Sequence, residues 1–304
     1  MTINETSDHG PALAPLAKTA LVVAWKGTDN PSHLNVISTT DAISFGNKVT
    51  LPELSAHEPS MVGDETNAKI YLAWTGTDGH LNVAFTNSVA FANYSKLSQS
   101  TSTGNVSPLV ETSDQAPAVA YDNATGRVFL AWKGNGNNQL NVMSSSNGSV
   151  FDSSTKVTIG TESTLTAPAL VDVLGVLYLS WVGTNSALNL LVSTDNGHTF
   201  SQKTTLAEFS NFRPAVAGLG VMGSTKYDLH LVWAETNSLI SINTAEDSKT
   251  TAFGYKQTIY NENSALPPAA ARWLQQMYVG WTGTDGHLNV SRYSPGEVVG
   301  YGVK

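Results

Sequence analysis

The chain of 304 residues contains no cysteine, so neither a disulfide framework nor a thiolate metal site is open to it. Charge is scarce too: only 13% of residues are Asp, Glu, Lys or Arg, and the balance is −8. A negative chain without a basic run repels polyanions, which argues against nucleic acid or an anionic membrane surface as partner. No window approaches the roughly eighteen consecutive apolar residues of a membrane span, so no membrane insertion is expected. The opening MTINETSDHG has neither the basic nor the apolar stretch of an export leader. No localisation follows, although the composition suits extracellular or cell-surface use, and the oligomeric state is not readable. Ser, Thr, Asn and Gly are abundant instead, as in a turn-rich β protein.

What the chain does have is repetition. Tyr71 to Val83 reads YLAWTGTDGHLNV, and Tyr278 to Val290 reads YVGWTGTDGHLNV. Trp25, Trp74, Trp132, Trp181, Trp233 and Trp281 follow one another at 49, 58, 49, 52 and 48 residues, and only Trp273 falls outside the series. Five of the six are followed by Leu-Asn-aliphatic, carrying Asn35, Asn82, Asn141, Asn189 and Asn289; the fifth copy has Ile240-Ser241-Ile242. A proline precedes each Trp by 13 to 19 residues: Pro11, Pro59, Pro117, Pro168, Pro214 and Pro268. Units of about fifty residues, each with four short β-type runs, predict propeller blades. The expected fold is all-β: one domain over residues 1–304, a six-bladed propeller of four-stranded antiparallel blades. The blades run over about 11–50, 59–106, 117–159, 168–206, 214–259, and 268–294 with 1–5. The last assignment rests on TINETSDHGP (Thr2 to Pro11) matching TLPELSAHEP (Thr50 to Pro59), so Met1 to Glu5 should be the outer strand of the sixth blade. Asp78-Gly79 predicts a hairpin with a type I′ turn. The tryptophans are expected to be wedges between blades.

A glutamate stands six residues before every one of these prolines: Glu5, Glu53, Glu111, Glu162, Glu208 and Glu262. A hydroxyl residue follows two later: Ser7, Ser55, Ser113, Thr164, Ser210 and Ser264. These carboxylates either accept backbone N–H groups between blades or face a ligand. In a propeller the connection between blades and the turn between second and third strands share one face, so the Glu-x-Ser segments and the Gly-Thr-Asp-Gly-His turns should crowd together. Asp29, Asp78 and Asp285 occupy the turn in three units, with Asn135, Asn185 and Asn237 near that place in the others. His33, His80 and His287 follow the acids, and His9 and His57 precede two of the prolines, so five of the seven histidines converge on one sector. That sector offers Asp78, His80, Asp285 and His287 as acid, base or metal-ligating candidates, or else turn residues that duplicated units share. No His-x-His or His-x3-His spacing is present, and no metal or cofactor is expected.

STDNGHTF, Ser193 to Phe200, fits the Asp-box pattern Ser-x-Asp-x-Gly-x-Thr-Phe/Trp in full; SSSNGSVF (Ser144 to Phe151) and STTDAISF (Ser38 to Phe45) are degraded copies. Through these the chain resembles the sialidase-like, Asp-box-containing six-bladed propellers over all six units. The resemblance implies that Ser193, Asp195 and Gly197 are structural, on the face away from an active site. It also implies, for catalysis, an arginine triad gripping a carboxylate. The chain has four arginines, of which Arg213 in NFRPAV belongs to the loop-rich face, while Arg127, Arg272 and Arg292 belong toward the other. The triad is not assembled, which speaks against a standard exo-sialidase.

The reading is a carbohydrate-binding, lectin-like propeller with quasi-repeated sites on the loop-rich face. Its candidate ligand contacts are the six glutamates, Asp29, His33, Asn35, Asp78, His80, Asn82, Asp285, His287, Asn289 and Arg213, and its partners would be glycans or glycoconjugates. The alternatives are a divergent glycoside hydrolase or polysaccharide lyase using the Asp/His sector, and a protein-binding scaffold.

Overall fold

The computed structural model describes residues 1–64, 68–101, 105–220, 226–247 and 251–293; Ser294, the expected end of the sixth unit, lies outside them. The described chain is an all-β propeller with four-stranded antiparallel blades. The second strand of each repeat carries its Trp and is apolar on both faces, because a neighbouring sheet covers each side. Lys69–Thr75, KIYLAWT, is buried at six of its seven positions. First strands such as Ala12–Leu16 are short and fully buried at the axis. Fourth strands such as Gly46–Leu54 form the outer edge, are half exposed, and tolerate a proline, Pro52, where no further ladder needs its N–H.

Seven sheets are present among the described residues, one more than the six the repeat predicts. Six are four-stranded and follow the units. The seventh has three strands, with Ser98–Ser100 lying antiparallel to Val106–Pro108 and parallel to Val150–Asp152. It bridges the tail of unit two to unit three, where Phe151 is fully buried beside Tyr71, Leu97 and Trp132. The 58-residue spacing from Trp74 to Trp132 contains this addition. Unit two correspondingly keeps only a two-residue fourth strand, Ser95–Lys96.

Strand ends also differ from expectation. The fourth strands of units one, three, four and five reach Leu54, Ser163, Phe209 and Asn263, past the expected ends at residues 50, 159, 206 and 259. Glu53, Glu162, Glu208 and Glu262 are therefore strand residues, as is Glu5 in Thr2–Thr6, and of the six only Glu111 lies outside a strand.

Thr2–Thr6 pairs antiparallel with His287–Tyr293 and completes the sheet of unit six. Met1 exchanges two backbone hydrogen bonds with Val290, and the Thr2 hydroxyl donates to Asn289 Oδ1 at 2.7 Å. Ile3, 4% exposed, packs with Leu288, Val290 and Trp25, so this strand ties unit six to unit one. First strands are neighbours in the order of units one to six, and that of unit six returns to unit one.

Replacing Ile3 by Ala should lower the unfolding free energy by about 2–4 kcal/mol, the range for a truncated buried aliphatic side chain. Denaturant titration would read this as an earlier midpoint, and an unchanged midpoint would contradict closure through this strand.

Candidate functional site

The turn between second and third strands is built alike in units two, four, five and six, and is longer by two residues in unit one and by one in unit three. Gly79 N–H donates to Gly76 O and Gly76 N–H to His80 O. Only Gly79 of the Asp78-Gly79 pair has positive φ, at 79°. The turn is thus type I followed by a left-handed bulge residue, not the type I′ that Asp-Gly predicts. Gly286, Ser186 and Ser238 occupy the same conformation in their units. The acid or amide inside the turn caps it: Asp78 Oδ1 accepts His80 N–H at 3.0 Å and Asp285 Oδ1 accepts His287 N–H at 3.0 Å. Asn137, Asn185 and Asn237 do the same in units three to five, which corrects the expected Asn135 to Asn137. A Cβ on Gly76 would stand 2.6 Å from Asp78 Oδ1, so a larger residue there requires the cap to shift.

His33, His80 and His287 each stay with the acid of their own turn. His33 Nδ1 lies 2.5 Å from Asp29, and that contact holds the Asp29 carboxyl below its ordinary range. His80 and His287 lie 3.3 Å from Asp78 and Asp285. His9 and His57 form a separate pair with ring centroids 6.3 Å apart, and burial lowers the pKa of His57. No three His, Asp or Glu side chains among the described residues come together as a metal-holding group. Asp78 and Asp285 are each engaged in capping their own turn.

The asparagines of Leu-Asn-aliphatic are pins within their sheets rather than exposed contacts. Asn35 Nδ2 donates to His33 O and its Oδ1 accepts the Thr50 hydroxyl from the fourth strand. Asn82 donates to His80 O, and Asn289 donates to His287 O while accepting from Thr2. Unit five exchanges both partners at once, with Glu235 in place of the turn glycine and Ser241 in place of Asn. Ser241 Oγ donates to Glu235 at 2.7 Å, so the longer acid supplies what the missing amide would.

The six glutamates form a pattern that sequence reasoning missed. Each of five pairs with a lysine on the next unit: Glu5 with Lys48, Glu53 with Lys96, Glu111 with Lys156, Glu162 with Lys203 and Glu208 with Lys256, all at 2.5–2.6 Å. Glu262 instead shares an electrostatic interaction with the Met1 α-amino group. Every one of these lysines stands over the ring of its own unit's repeat Trp, at 5.2–5.7 Å from the centroid. The lysines recur 22 to 24 residues after each Trp, a signal present in the sequence. Backbone register sets each pair beside a capped turn: Ser55 N–H donates to Ser32 O, Ser113 N–H to Gly79 O and Ser7 N–H to Gly286 O. The repeated hydroxyls then reach across to the next unit, Ser7 Oγ to Lys26 O and Ser55 Oγ to Thr75 O.

Arg213 is engaged within the protein. It is 7% exposed and crosses the axis from unit five to unit two, 3.1 Å from Glu58 in an ion pair too bent for a hydrogen bond. Its Nη2 donates to Pro59 O at 2.9 Å and its Nη1 to Pro117 O at 3.4 Å. Beneath it lies a cavity of about 60 Å3 lined by first strands of all six units. Arg272 belongs to Ala269–Trp273 at the other end of the axis, so these two arginines share no pocket.

In Ser193 to Phe200, Asp195 Oδ1 accepts the Ser193 hydroxyl and Thr199 N–H, and Oδ2 accepts the Thr199 hydroxyl at 2.6 Å. The Thr199 donors depress the Asp195 carboxyl to about 2. Asp41 and Asn147 close the corresponding turns of units one and three. All three are turn-closing residues.

No protein-family model and no curated sequence matches the chain. Solved structures do. A mutant of the Aleuria aurantia lectin, in complex with alpha-methyl-L-fucoside, superposes with TM-score 0.67 at 11% identity, over 98% of this chain and 95% of that one. AofleA from Arthrobotrys oligospora superposes with TM-score 0.71 at 10% identity, over 97% and 86%. A mutant of the NanB sialidase from Streptococcus pneumoniae gives 0.65 at 8% identity, over 96% and 69%. At such identities the likeness is one of fold.

The two kinds of ion pair should respond differently to loss of the acid. Glu58→Ala strands a buried guanidinium and should cost about 3–5 kcal/mol, whereas Glu53→Gln at the half-exposed rim should cost within about 1 kcal/mol. Denaturant midpoints of the two variants check the order, and equal losses would contradict an axial latch.

Proposed function

We propose that the chain is a carbohydrate-binding, lectin-like propeller of six blades, with quasi-repeated sites where one unit meets the next on the loop-rich face. The six four-stranded sheets are read as the blades and the three-stranded sheet as an addition between units two and three. The ring of first-strand neighbours supports that count. The repeated Glu–Lys pair carries the functional reading: one acceptor and one donor, partly open to solvent, at boundary after boundary. The lysines are 35–47% exposed and the glutamates 13–22%.

Neighbouring hydroxyls on a sugar ring call for that combination, since a carboxylate accepts and an ammonium donates. An exposed ion pair contributes little by itself, so opening it to a ligand costs little. The fullest copies combine Glu5 and Lys48 with the Asp285/His287 turn, Glu53 and Lys96 with Asp29/His33, and Glu111 and Lys156 with Asp78/His80. The repeat tryptophans are at most 2% exposed and covered by lysine, so they brace the sites rather than stack on sugar. Several weak equivalent sites favour an immobilised, multivalent glycan over a free monosaccharide. Two of the fold's solved relatives, the Aleuria aurantia lectin and the SapL1 lectin, carry alpha-methyl fucoside in their complexes, which makes fucosides the first probes. A hydrolase or lyase built on Asp78, His80, Asp285 and His287 is the weaker reading, because each pair closes its own turn.

Calorimetric titration with methyl α-L-fucoside, followed by a glycan array, should give more than one site per chain, three if the Asp/His copies are the competent ones. Lys96→Met with Glu53→Gln should then remove one site and weaken surface binding severalfold while the other sites persist. A stoichiometry of one, or complete loss from that single boundary, would favour a single-centre enzyme. No binding to any glycan would leave the scaffold reading.

A further inference from the structure

Away from the loop-rich face the axis widens into a cavity of about 490 Å3 that the carbohydrate reading does not use. It shares Leu13, Met61, Val119, Leu170 and Val216 with the small cavity under Arg213, so the two are stacked along the axis. Its volume falls in the range of about 300–1,000 Å3 typical of small-molecule sites, which combine apolar walls with a few polar groups. The walls combine aliphatic side chains with Asn123, two tyrosines and three charged groups, and the charges divide between two sides.

Asp122 ends the first strand of unit three, Asp172 is the last residue but one in that of the adjacent unit four, and Arg272 comes from unit six. In a ring of six, units three and six face each other across the axis. Asp122 is locked by the Ala124 N–H, at 2.9 Å, and by the Thr125 hydroxyl. Asp172 accepts the Gly175 N–H at 3.1 Å. Burial pushes the Asp172 carboxyl up to about 7, the Gly175 N–H opposing and the Asp122 charge adding. The Arg272 guanidinium lies over the Tyr227 ring, 5.5 Å from its centroid. Tyr121 and Tyr227 are the remaining titratable groups of the lining.

We propose that this cavity binds a small aliphatic zwitterion whose charges sit at its two ends, with an ammonium group against Asp172 and Asp122 and a carboxylate against Arg272. A plain amine would bring a cation toward Arg272, and a plain carboxylate would bring an anion toward two acids. Only a ligand carrying both charges matches both sides, and an aliphatic chain between them matches the walls. The inference is independent of the carbohydrate reading, since it uses the opposite end of the axis.

Binding should also be linked to protons. An ammonium group favours the ionised form of Asp172, so the proton that this carboxyl holds in part near pH 7 is released on binding. Affinity should rise as pH rises toward about 7 and level off above it.

Calorimetry with 6-aminohexanoate is the direct test, with hexylamine and hexanoate as single-charge controls, at pH 6 and pH 8. We expect one site per chain, about tenfold tighter at pH 8, and each control at least about tenfold weaker. Asp172→Asn, nearly isosteric, should abolish both binding and its pH dependence while circular dichroism and melting temperature stay native. Should that variant not fold, Arg272→Gln serves instead and should reduce 6-aminohexanoate to the affinity of hexylamine. No heat with 6-aminohexanoate at either pH, hexylamine binding as tightly, or undiminished binding by folded Asp172→Asn would each overturn the proposal.

Discussion

Six buried clusters, each between two successive units and each holding one repeat Trp, carry the ring. A sheet that is apolar on both faces has no stable existence alone, and a large rigid ring filling the gap to its neighbour meets that need with little loss of side-chain freedom. The Trp of one unit meets the sheet before it; in units one to five a lysine in or just before its own fourth strand stands over the ring, and a glutamate of the preceding unit holds the lysine. Polar groups at the boundary are thereby ordered by an apolar contact. The same wedge that closes the fold spaces the candidate ligand groups around the rim.

Repetition with exceptions is informative here. Unit five lacks both the turn glycine and the Leu-Asn pin, yet Glu235 bonds Ser241 and also lies 2.7 Å from Lys256. At the boundary of units five and six, Glu262 shares an electrostatic interaction with the Met1 α-amino group, where the other five described glutamates meet a lysine. Both exceptions preserve a charge or hydrogen-bond role rather than a residue, as expected where the interaction and not the side chain is what the fold requires.

The two ends of the axis are opposite in character. On the loop-rich side Arg213 and Glu58 close the centre with a buried pair and two backbone carbonyls. On the other side carboxylates and a guanidinium line open space. A buried ion pair whose guanidinium also donates to two carbonyls fixes geometry, whereas a carboxyl such as Asp172, whose ionised form is disfavoured by burial, remains sensitive to whatever enters beside it.

Periodicity alone determined the sheet architecture, since Trp, Pro and Leu-Asn recur at about fifty residues and each recurrence needs the same local environment. The match between Thr2 to Pro11 and Thr50 to Pro59 likewise placed the closing strand within one residue of where it lies. The three-stranded insertion was present only as a longer interval, because three-residue strands such as Val106–Pro108 lack a periodic signature. The turn type was misread because Asp-Gly suits two loop geometries, and the choice lies in hydrogen bonds between Gly76, Gly79 and His80. Partnerships were wholly tertiary. Glu53 and Lys96 are 43 residues apart, Arg213 and Glu58 belong to opposite sides of the ring, and Asp172 and Arg272 come to line one cavity only where six first strands converge. Residue types can be read one at a time along the chain, but which charge neutralises which depends on the closure of the ring.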